Sequence, residues 1–578
     1  LAHPLWTNRA ADQKRLSTED ERYGVGASLA MKNFGSGADA VMSQVRIGPD
    51  GRITIVTNNV DMGQGAATAH ALMTSKALGR NADDIDTGRT EIFRELKLVG
   101  GFKEQPANPR WTPIVWNSTK ATAGVGRWLH ATEQAADVLF KTAIMPAARS
   151  LWGATASKIG TEDVSWSEGR LASDGFQPIP FAAIAAELYA KKLVTSAMIH
   201  AFFSGRWVEA DYTVDGVTDR WKIDALAVQH GNEPAYVLID RQNPLLFTTE
   251  SMWEQNGQAF AAAGAITAVK VNRKTGAVHL VKGVHLLAPG TVIQQDLLEG
   301  QMDGGWAMGV GHALLEELPD DASGAASGKW NLDRYHVALS ADCAIHDVEK
   351  ILIPPDSADP SPRGIAELVL RRCLLRFPMP SPTPSATASG RCRSRPKECG
   401  RSGADMGNIA LNLTINDERI VRESIDGDMW LNDFLRNEIG LTGTKFCCGI
   451  AVCRVCTVAA ARVPGALPEP IRTCTTPLRV ANGKIITTVE GLSKNGELHP
   501  LQHAFLRNFS FQCGYSAPGF LMAAYCLLDR LQRSPIPVSA VDAAIEVAVG
   551  QHICRCSGYV RYHRAIREVI LETPGLAT

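Results

Sequence analysis

A chain of 578 residues has room for about four domains at roughly 150 residues each, which excludes a small disulfide-stapled peptide. Apolar residues make up 45% and charged residues 21%, with no run of about 18 apolar residues to cross a bilayer. Lys plus Arg number 59 against 60 Asp plus Glu, so no overall field draws polyanions and no nucleic-acid partner is expected.

From Arg52 the run Arg-Ile-Thr-Ile-Val-Thr alternates as a half-buried strand does. Asp61-Met62-Gly63-Gln64-Gly65 then turns into an Ala-rich helical stretch, Ala66 to Leu78. Ala265 to Val271 and Ala277 to His285 read as a hairpin, with Gly276 where positive φ is needed. Gln294 to Leu318 carries apolar residues at helical intervals through Met302, Trp306 and Val310, and predicts a long helix that its glycines could interrupt. Between Arg371 and Asp405 the pattern collapses: four prolines at 378, 380, 382 and 384 break any helix, and eight Lys or Arg face only Glu398 and Asp405, the composition of a linker. Order resumes at Ile409 to Ile415, a strand turned at Asn416-Asp417 into Arg419 to Val421. Trp430 to Glu438 follows as a short helix. From about His499 the chain reads as helical through Ala517 to Leu531, Val538 to Val549 and Tyr562 to Leu571, a small bundle.

Thirteen cysteines are present, none before Cys343, and nine lie between Cys447 and Cys556, so two chemistries share one chain. An odd count over a long sequence fits metal ligation better than a disulfide framework; the first residue is Leu rather than Met, which leaves a leader and the compartment open. Cys448, Cys453 and Cys456 are separated by four and two residues, and Cys474 follows 17 residues later, the plant-type spacing for a [2Fe–2S] cluster. Gly443 and Gly449 suit a loop whose amides must approach sulfur, whereas Cys447, Arg454 and Val455 predict crowding. Half of a zinc site or plain buried thiols are the competing readings. Cys513, Cys554 and Cys556 form a second group in which Ser516 stands where a fourth thiolate is expected. Serine oxygen is a harder and poorer match to iron, so the expectation is a labile or altered cluster, or an error in the sequence. Pro518 marks a helix start whose dipole would favour a charged group.

Gln512-Cys513-Gly514-Tyr515-Ser516-Ala517-Pro518-Gly519 with Cys554-Arg555-Cys556-Ser557-Gly558-Tyr559 resembles the helical cluster domain of the molybdenum hydroxylases, the xanthine oxidase family. Gly443 to Val458 resembles that family's ferredoxin-like domain. The first 370 residues resemble its molybdenum-binding subunit, nearest the isoquinoline 1-oxidoreductase and bacterial membrane-bound aldehyde dehydrogenase branch. The resemblance implies an α/β (α+β) molybdopterin-binding region over 1–370, a linker over 371–406, a ferredoxin-like β-grasp domain over 407–490 and a helical-bundle cluster domain over 491–578. It implies pterin contacts from Met62, Gly63, Gln64 and Gly65, from Gly124, Val125 and Gly126, from Gln301, and from Gln512 and Cys556. The metal ligands implied are Cys448, Cys453, Cys456 and Cys474 for one cluster and Cys513, Ser516, Cys554 and Cys556 for the other. In Arg363-Gly364-Ile365-Ala366-Glu367 it implies that Glu367 is the catalytic base.

The expected activity is hydroxylation of an aldehyde or N-heteroaromatic carbon with water-derived oxygen, using molybdopterin, in the cytosine dinucleotide form, and two [2Fe–2S] clusters that pass single electrons onward. No flavin signature is present, so no FAD is expected and the acceptor implied is cytochrome c or a quinone, at the periplasmic or membrane-associated side of an inner membrane. Leu368-Val369-Leu370 gives way at once to the Pro-rich tract where the family continues with an apolar helix. We read this as a frame slip joining a large-subunit fragment, shortened at its amino end, to a separate small subunit starting near Met406. Two other readings are an electron carrier with a non-catalytic remnant ahead of it, and a zinc-stabilised scaffold. His70, His312 and His552 receive no role, and Trp207 and Trp306 are assigned to cores.

Overall fold

The computed structural model describes residues 2–35, 39–96, 123–203, 207–245, 259–317, 331–357, 361–365 and 407–578; Glu367 and the Pro-rich tract lie outside the described residues. The strand predicted after Arg52 is Ile53–Thr57, with Ile53 and Ile55 buried. It lies in a six-stranded sheet ordered Val237–Ile239, Ala225–His230, Val194–Phe203, Asp39–Ile47, Ile53–Thr57 and Asp84–Asp86, antiparallel except for the last pair. Helix Ala123–Leu139 continues through one π turn into Met145–Trp152, and with Phe181–Ala190 it buries its apolar stripe in the core that contains this sheet. The Ala66 to Leu78 stretch is two helices, Ala66–Met73 and Ser75–Leu78. Thr74 divides them, its hydroxyl donating to Ala71 O at 3.0 Å and Arg80 O at 2.8 Å.

The predicted hairpin is longer than its alternation suggested: Ala259–Asn272 pairs with Val278–Ala288, and the first strand also pairs with Glu21–Gly35. Gly276 holds φ 74° at the turn. Helix Gln295–Leu314 runs unbroken through its glycines, capped by Gln294, whose carboxamide oxygen accepts from Asp296 N and Leu297 N. The far edge of its Trp306 indole reaches the sheet where Gly283 has no side chain; a Cβ there would stand 2.3 Å from the ring.

After residue 407 a five-stranded sheet is ordered Glu418–Asp426, Asn408–Ile415, Ile485–Thr487, Thr457–Ala461 and Glu469–Arg472. Asn416 and Asp417, both at positive φ, make its tight turn. Four helices follow, Pro500–Arg507, Ala517–Arg533, Val541–Val549 and Val560–Glu572. Their core is not closed on itself: Phe520, Leu527, Tyr562 and Ile566 share it with Trp306, Ala307, Val310 and Cys343. Among the described residues no helix is long and apolar enough to cross a membrane.

Candidate functional site

Helix Gln295–Leu314 brings the distant motifs together. Gln301 Nε2 donates to Gln512 Oε1 at 2.5 Å, and Gln512 Nε2 donates to Gly300 O at 2.8 Å. Gly63, at φ 101°, sits so close to the Gln512–Cys513 peptide that a Cβ would lie 2.2 Å from Cys513 N. Gly304 accepts the Cys556 carbonyl where a Cβ would be 1.9 Å away, and Gly558 rides on Asp303 O in the same manner. Gly63, Gln301, Gln512, Cys513 and Cys556 therefore meet although more than 200 residues separate the first two from the rest. Gln64 turns back on its own loop, donating to Val60 O and accepting from Met62 N, both at 2.7 Å. Met62 is largely exposed.

Beside this junction a small pocket of about 70 Å³ is lined by Gln64, Gly65, Ile293, Leu297, Leu298, Gln301, Arg363 and Ile365, among others. Ile365 is two positions before Glu367. Gly124, Val125 and Gly126, which the resemblance places in a further pterin loop, instead form the first turn of helix Ala123–Leu139. A loop reading is corrected because the turn is anchored as helix: Trp128 Nε1 donates to Asn58 Oδ1 at 2.8 Å, and Asn58 follows the strand that feeds Asp61–Gly65.

Cys448, Cys453, Cys456 and Cys474 are buried together and unbridged. Cys453 and Cys474 flank Cys448, and Cys456 adjoins Cys474. Backbone amides aim at these sulfurs: Ile450 N and Cys453 N donate to Cys448 Sγ at 3.5 and 3.4 Å. Hydrogen bonds from Cys453 and Cys474 hold the Cys448 thiol low, and one from Cys474 brings Cys456 down to about 7. Among the described residues no three His, Cys, Asp or Glu side chains converge on one ion position. The crowding predicted for this loop is present: Arg454 and Ala451 both adopt positive φ, and Gly519 leaves the space that the Arg454 carbonyl needs.

In the second group Cys513 Sγ lies 3.5 Å from Cys556 Sγ, and Cys554 Sγ lies 4.0 Å from Cys556 Sγ. A hydrogen bond from Cys556 draws the Cys513 thiol down to about 6 and that of Cys554 to about 5. Ser516 is buried, and its hydroxyl bonds Cys554 and lies 3.3 Å from Tyr562 OH. The two groups touch: Ile553 N donates to Cys453 O at 3.1 Å, and Tyr515 OH donates to Phe446 O.

Two charged contacts at the junction have no signal in spacing. Arg561, 2% exposed, faces Asp296 at 3.0 Å, Glu299 at 3.6 Å and Asp303 at 3.9 Å, while Lys350 Nζ meets Asp303 at 2.6 Å. Burial raises the Asp303 carboxyl against the pull of Lys350. Arg555, between two site cysteines, pairs with Glu316, whose side chain is 1% exposed and also accepts from Tyr335 OH at 2.7 Å. Burial opposes ionisation of Glu316, but Arg555 and Tyr335 hold its carboxyl below the ordinary range. The i, i+4 glycines Gly300 and Gly304 were the readable trace of this junction. His70 is a core residue bonded to Asn59 and Thr132, and burial pushes it down to about 3.

A molybdopterin cofactor-binding domain model matches residues 1–92 and 112–343, more than half of the chain. The chain belongs to the molybdenum hydroxylase family. A [2Fe-2S] binding domain model matches 488–567 of this family member. It is 35% identical over 167 residues to the nicotinate dehydrogenase small FeS subunit of Eubacterium barkeri, covering 28% of the chain and 97% of that subunit. It is 35% identical over 154 residues to aldehyde oxidase 1 of Rattus norvegicus, covering 26% of the chain but only 11% of that enzyme. Among solved structures, quinoline 2-oxidoreductase from Pseudomonas putida 86 matches at 35% identity over 29% of the chain and 94% of the matched chain, with a TM-score of 0.25.

Proposed function

We propose that this molybdenum hydroxylase oxidises an aldehyde or an N-heteroaromatic carbon with oxygen drawn from water and releases the electrons through two [2Fe–2S] clusters to an external acceptor. One observation carries the reading: the Gly63 loop and Gln301 both meet the Gln512–Cys513 segment, and Ile553 N to Cys453 O joins that junction to the group of Cys448, Cys453, Cys456 and Cys474. The residues fit a pterin because Gln64, Gly65 and Gln301 line the pocket beside the junction and bring amide donors and acceptors to it without bulk. Met62, Gly63, Gln64, Gly65, Gly124, Val125, Gly126, Gln301, Gln512 and Cys556 would hold it. When bound, a molybdenum–pterin group supplies the two-electron oxidation of a C–H carbon that side chains lack.

The chain's own residues do the rest. Gln301 and Gln512 orient each other's amides, and Ile293, Leu297 and Leu298 keep the cavity wall dry. Glu367 is the proposed proton acceptor, two residues past the cavity-lining Ile365. We assign 1–370 to the pterin region, 371–406 to a linker, 407–490 to a ferredoxin-like β-grasp domain and 491–578 to a helical cluster bundle. The cytosine dinucleotide form, a cytochrome c or quinone acceptor, a periplasmic or membrane-side location and native separation into two subunits complete the proposal.

One observation favours a second reading, an electron-carrying iron–sulfur protein: the chain covers 97% of a small FeS subunit but 11% of an aldehyde oxidase. Metal analysis of the purified chain, with dye-linked assays on aldehydes and N-heterocycles, separates the two. Molybdenum with substrate-dependent dye reduction is the expected result; iron without molybdenum selects the carrier.

A further inference from the structure

The turn Asn331 to Tyr335 belongs to the molybdopterin-binding region, yet its tip rests on the first thiol group. Asn331 Nδ2 donates to Cys448 O at 3.0 Å, and Leu332 packs against Cys448, Cys453 and Val455. Among the described residues three other aliphatic side chains lie on that patch, Ile450, Val452 and Ile553, all from the carboxyl-terminal domains; Leu332 comes from the other half of the chain. The turn is tied from within: Asn331 O accepts from Arg334 N and Tyr335 N, both at 2.9 Å, and Asn331 Oδ1 accepts from Leu332 N at 2.7 Å. It is tied from behind as well, because Tyr335 OH donates to the buried Glu316 carboxylate just past helix Gln295–Leu314. Asp333 and Arg334 are exposed, so the turn keeps one face in water and sets Leu332 on the cysteines.

We propose that Leu332 is a shielding residue that sets the reduction potential of the cluster on Cys448, Cys453, Cys456 and Cys474, with Asn331 as the positioning residue that holds it there. The inference rests on the iron–sulfur reading above. Reduction puts one electron, and so one negative charge, on the cluster; one iron passes from ferric to ferrous and no bond is made or broken. Water stabilises that added charge and leucine methyls do not. The molybdopterin-binding region thereby keeps a cluster of a distant domain harder to reduce than the same loop bare to solvent.

The test reconstitutes the full chain anaerobically with ferrous iron and sulfide, as the native sequence and as L332S, L332M and N331A. Dithionite supplies electrons in a potentiometric titration followed by paramagnetic resonance, and exchange into deuterated water before freezing counts deuterons close to the cluster. The signal missing from Cys474→Ala marks the cluster in question. L332S is expected to take its electron at least threefold more readily, about 28 mV at ~59 mV per tenfold, and to gain deuteron signal. L332M, apolar and of similar volume, is expected to match the native protein on both readouts. N331A unties the turn and leaves the apolar wall intact; it is expected to gain deuteron signal, and it decides the matter if L332S holds no iron. Native potential with native deuteron signal in L332S, or native deuteron signal in N331A where L332S holds no iron, overturns the shield. L332M shifted as far as L332S overturns it too, because shape rather than water would then set the potential. A native protein with no signal that depends on Cys474 overturns the cluster reading itself.

Discussion

Gly300 and Gly304 lie one turn apart on the same helix and should respond to alanine in opposite directions. Alanine in a helix interior gains about 1 kcal/mol over glycine. At Gly300 the new methyl meets Arg561 Nε at 3.4 Å and Gln512 Nε2 at 3.6 Å, ordinary contact, so G300A keeps the gain. At Gly304 the methyl falls 1.9 Å from Cys556 O and 2.8 Å from its carbonyl carbon, well inside the ~3.3–3.6 Å at which carbon and carbonyl oxygen meet. The obstacle is main chain, which no rotamer relieves, so the overpacking term stands at the upper end of its usual range, about 3 kcal/mol, and the net loss is about 2. At ~2–4 °C per kcal/mol for a unit of this size, G300A should melt ~2–4 °C above the native chain and G304A ~4–8 °C below it. Circular dichroism gives the midpoints, and cluster absorbance of the reconstituted chain shows whether the Cys554–Cys556 loop leaves with the helix. A G304A midpoint at or above the native one, or both variants shifting together, refutes the close approach of the two backbones.

Replacing Arg561 with Met removes a buried cation that faces three carboxylates, while Lys350 still meets Asp303 and Glu299 and Arg564 still meets Asp296, so chemical denaturation should register a loss of about 3 kcal/mol, the low end for a broken buried pair. Glu316→Gln strips the Arg555 guanidinium of its buried partner; about 1–3 kcal/mol should be lost on thermal unfolding, with broadening of the paramagnetic signal of the adjoining cluster. His70 stays neutral when folded, with a value near 3 against 6.5 unfolded. Its contribution is therefore full above pH 6.5 and lost as pH falls toward 3, and H70Q should flatten that acid limb by up to about 1.4 kcal/mol per pH unit in denaturant titrations. Cys474→Ala should halve the bound iron and erase one paramagnetic signal while sparing the other, as read by iron assay and low-temperature spectroscopy of the same sample.

Local pattern carried far along this chain. The alternation at Ile53, the hairpin around Gly276, the Asn416-Asp417 turn and the helix after Gln294 all follow from neighbours within a few residues, and all are present. The cysteine spacing likewise placed Cys448, Cys453 and Cys456 in one short loop, whereas Cys513 meets Cys556 across 43 residues, a contact that only the resemblance implied. What pattern did not carry lies in contacts between distant segments. Gly124 to Gly126 resembled a loop but are held in a helix by Trp128 reaching Asn58. Thr74 splits a helix through a bond to Arg80 that periodicity does not register. Arg561 and Glu316 are buried charges whose partners sit some 240 to 265 residues away.

The core that Phe520 and Ile566 share with Trp306 and Val310 bears on heredity as well as on packing. Were the two halves separate chains, an apolar seam of this kind, with Arg561 and Asp303 buried beside it, would join them as a permanent pair rather than an exchanging one. Whether translation delivers them as one polypeptide or two, neither half can drift alone: a larger side chain on one bank of the seam demands a smaller one on the other, so genes encoding separate halves would be inherited as a pair.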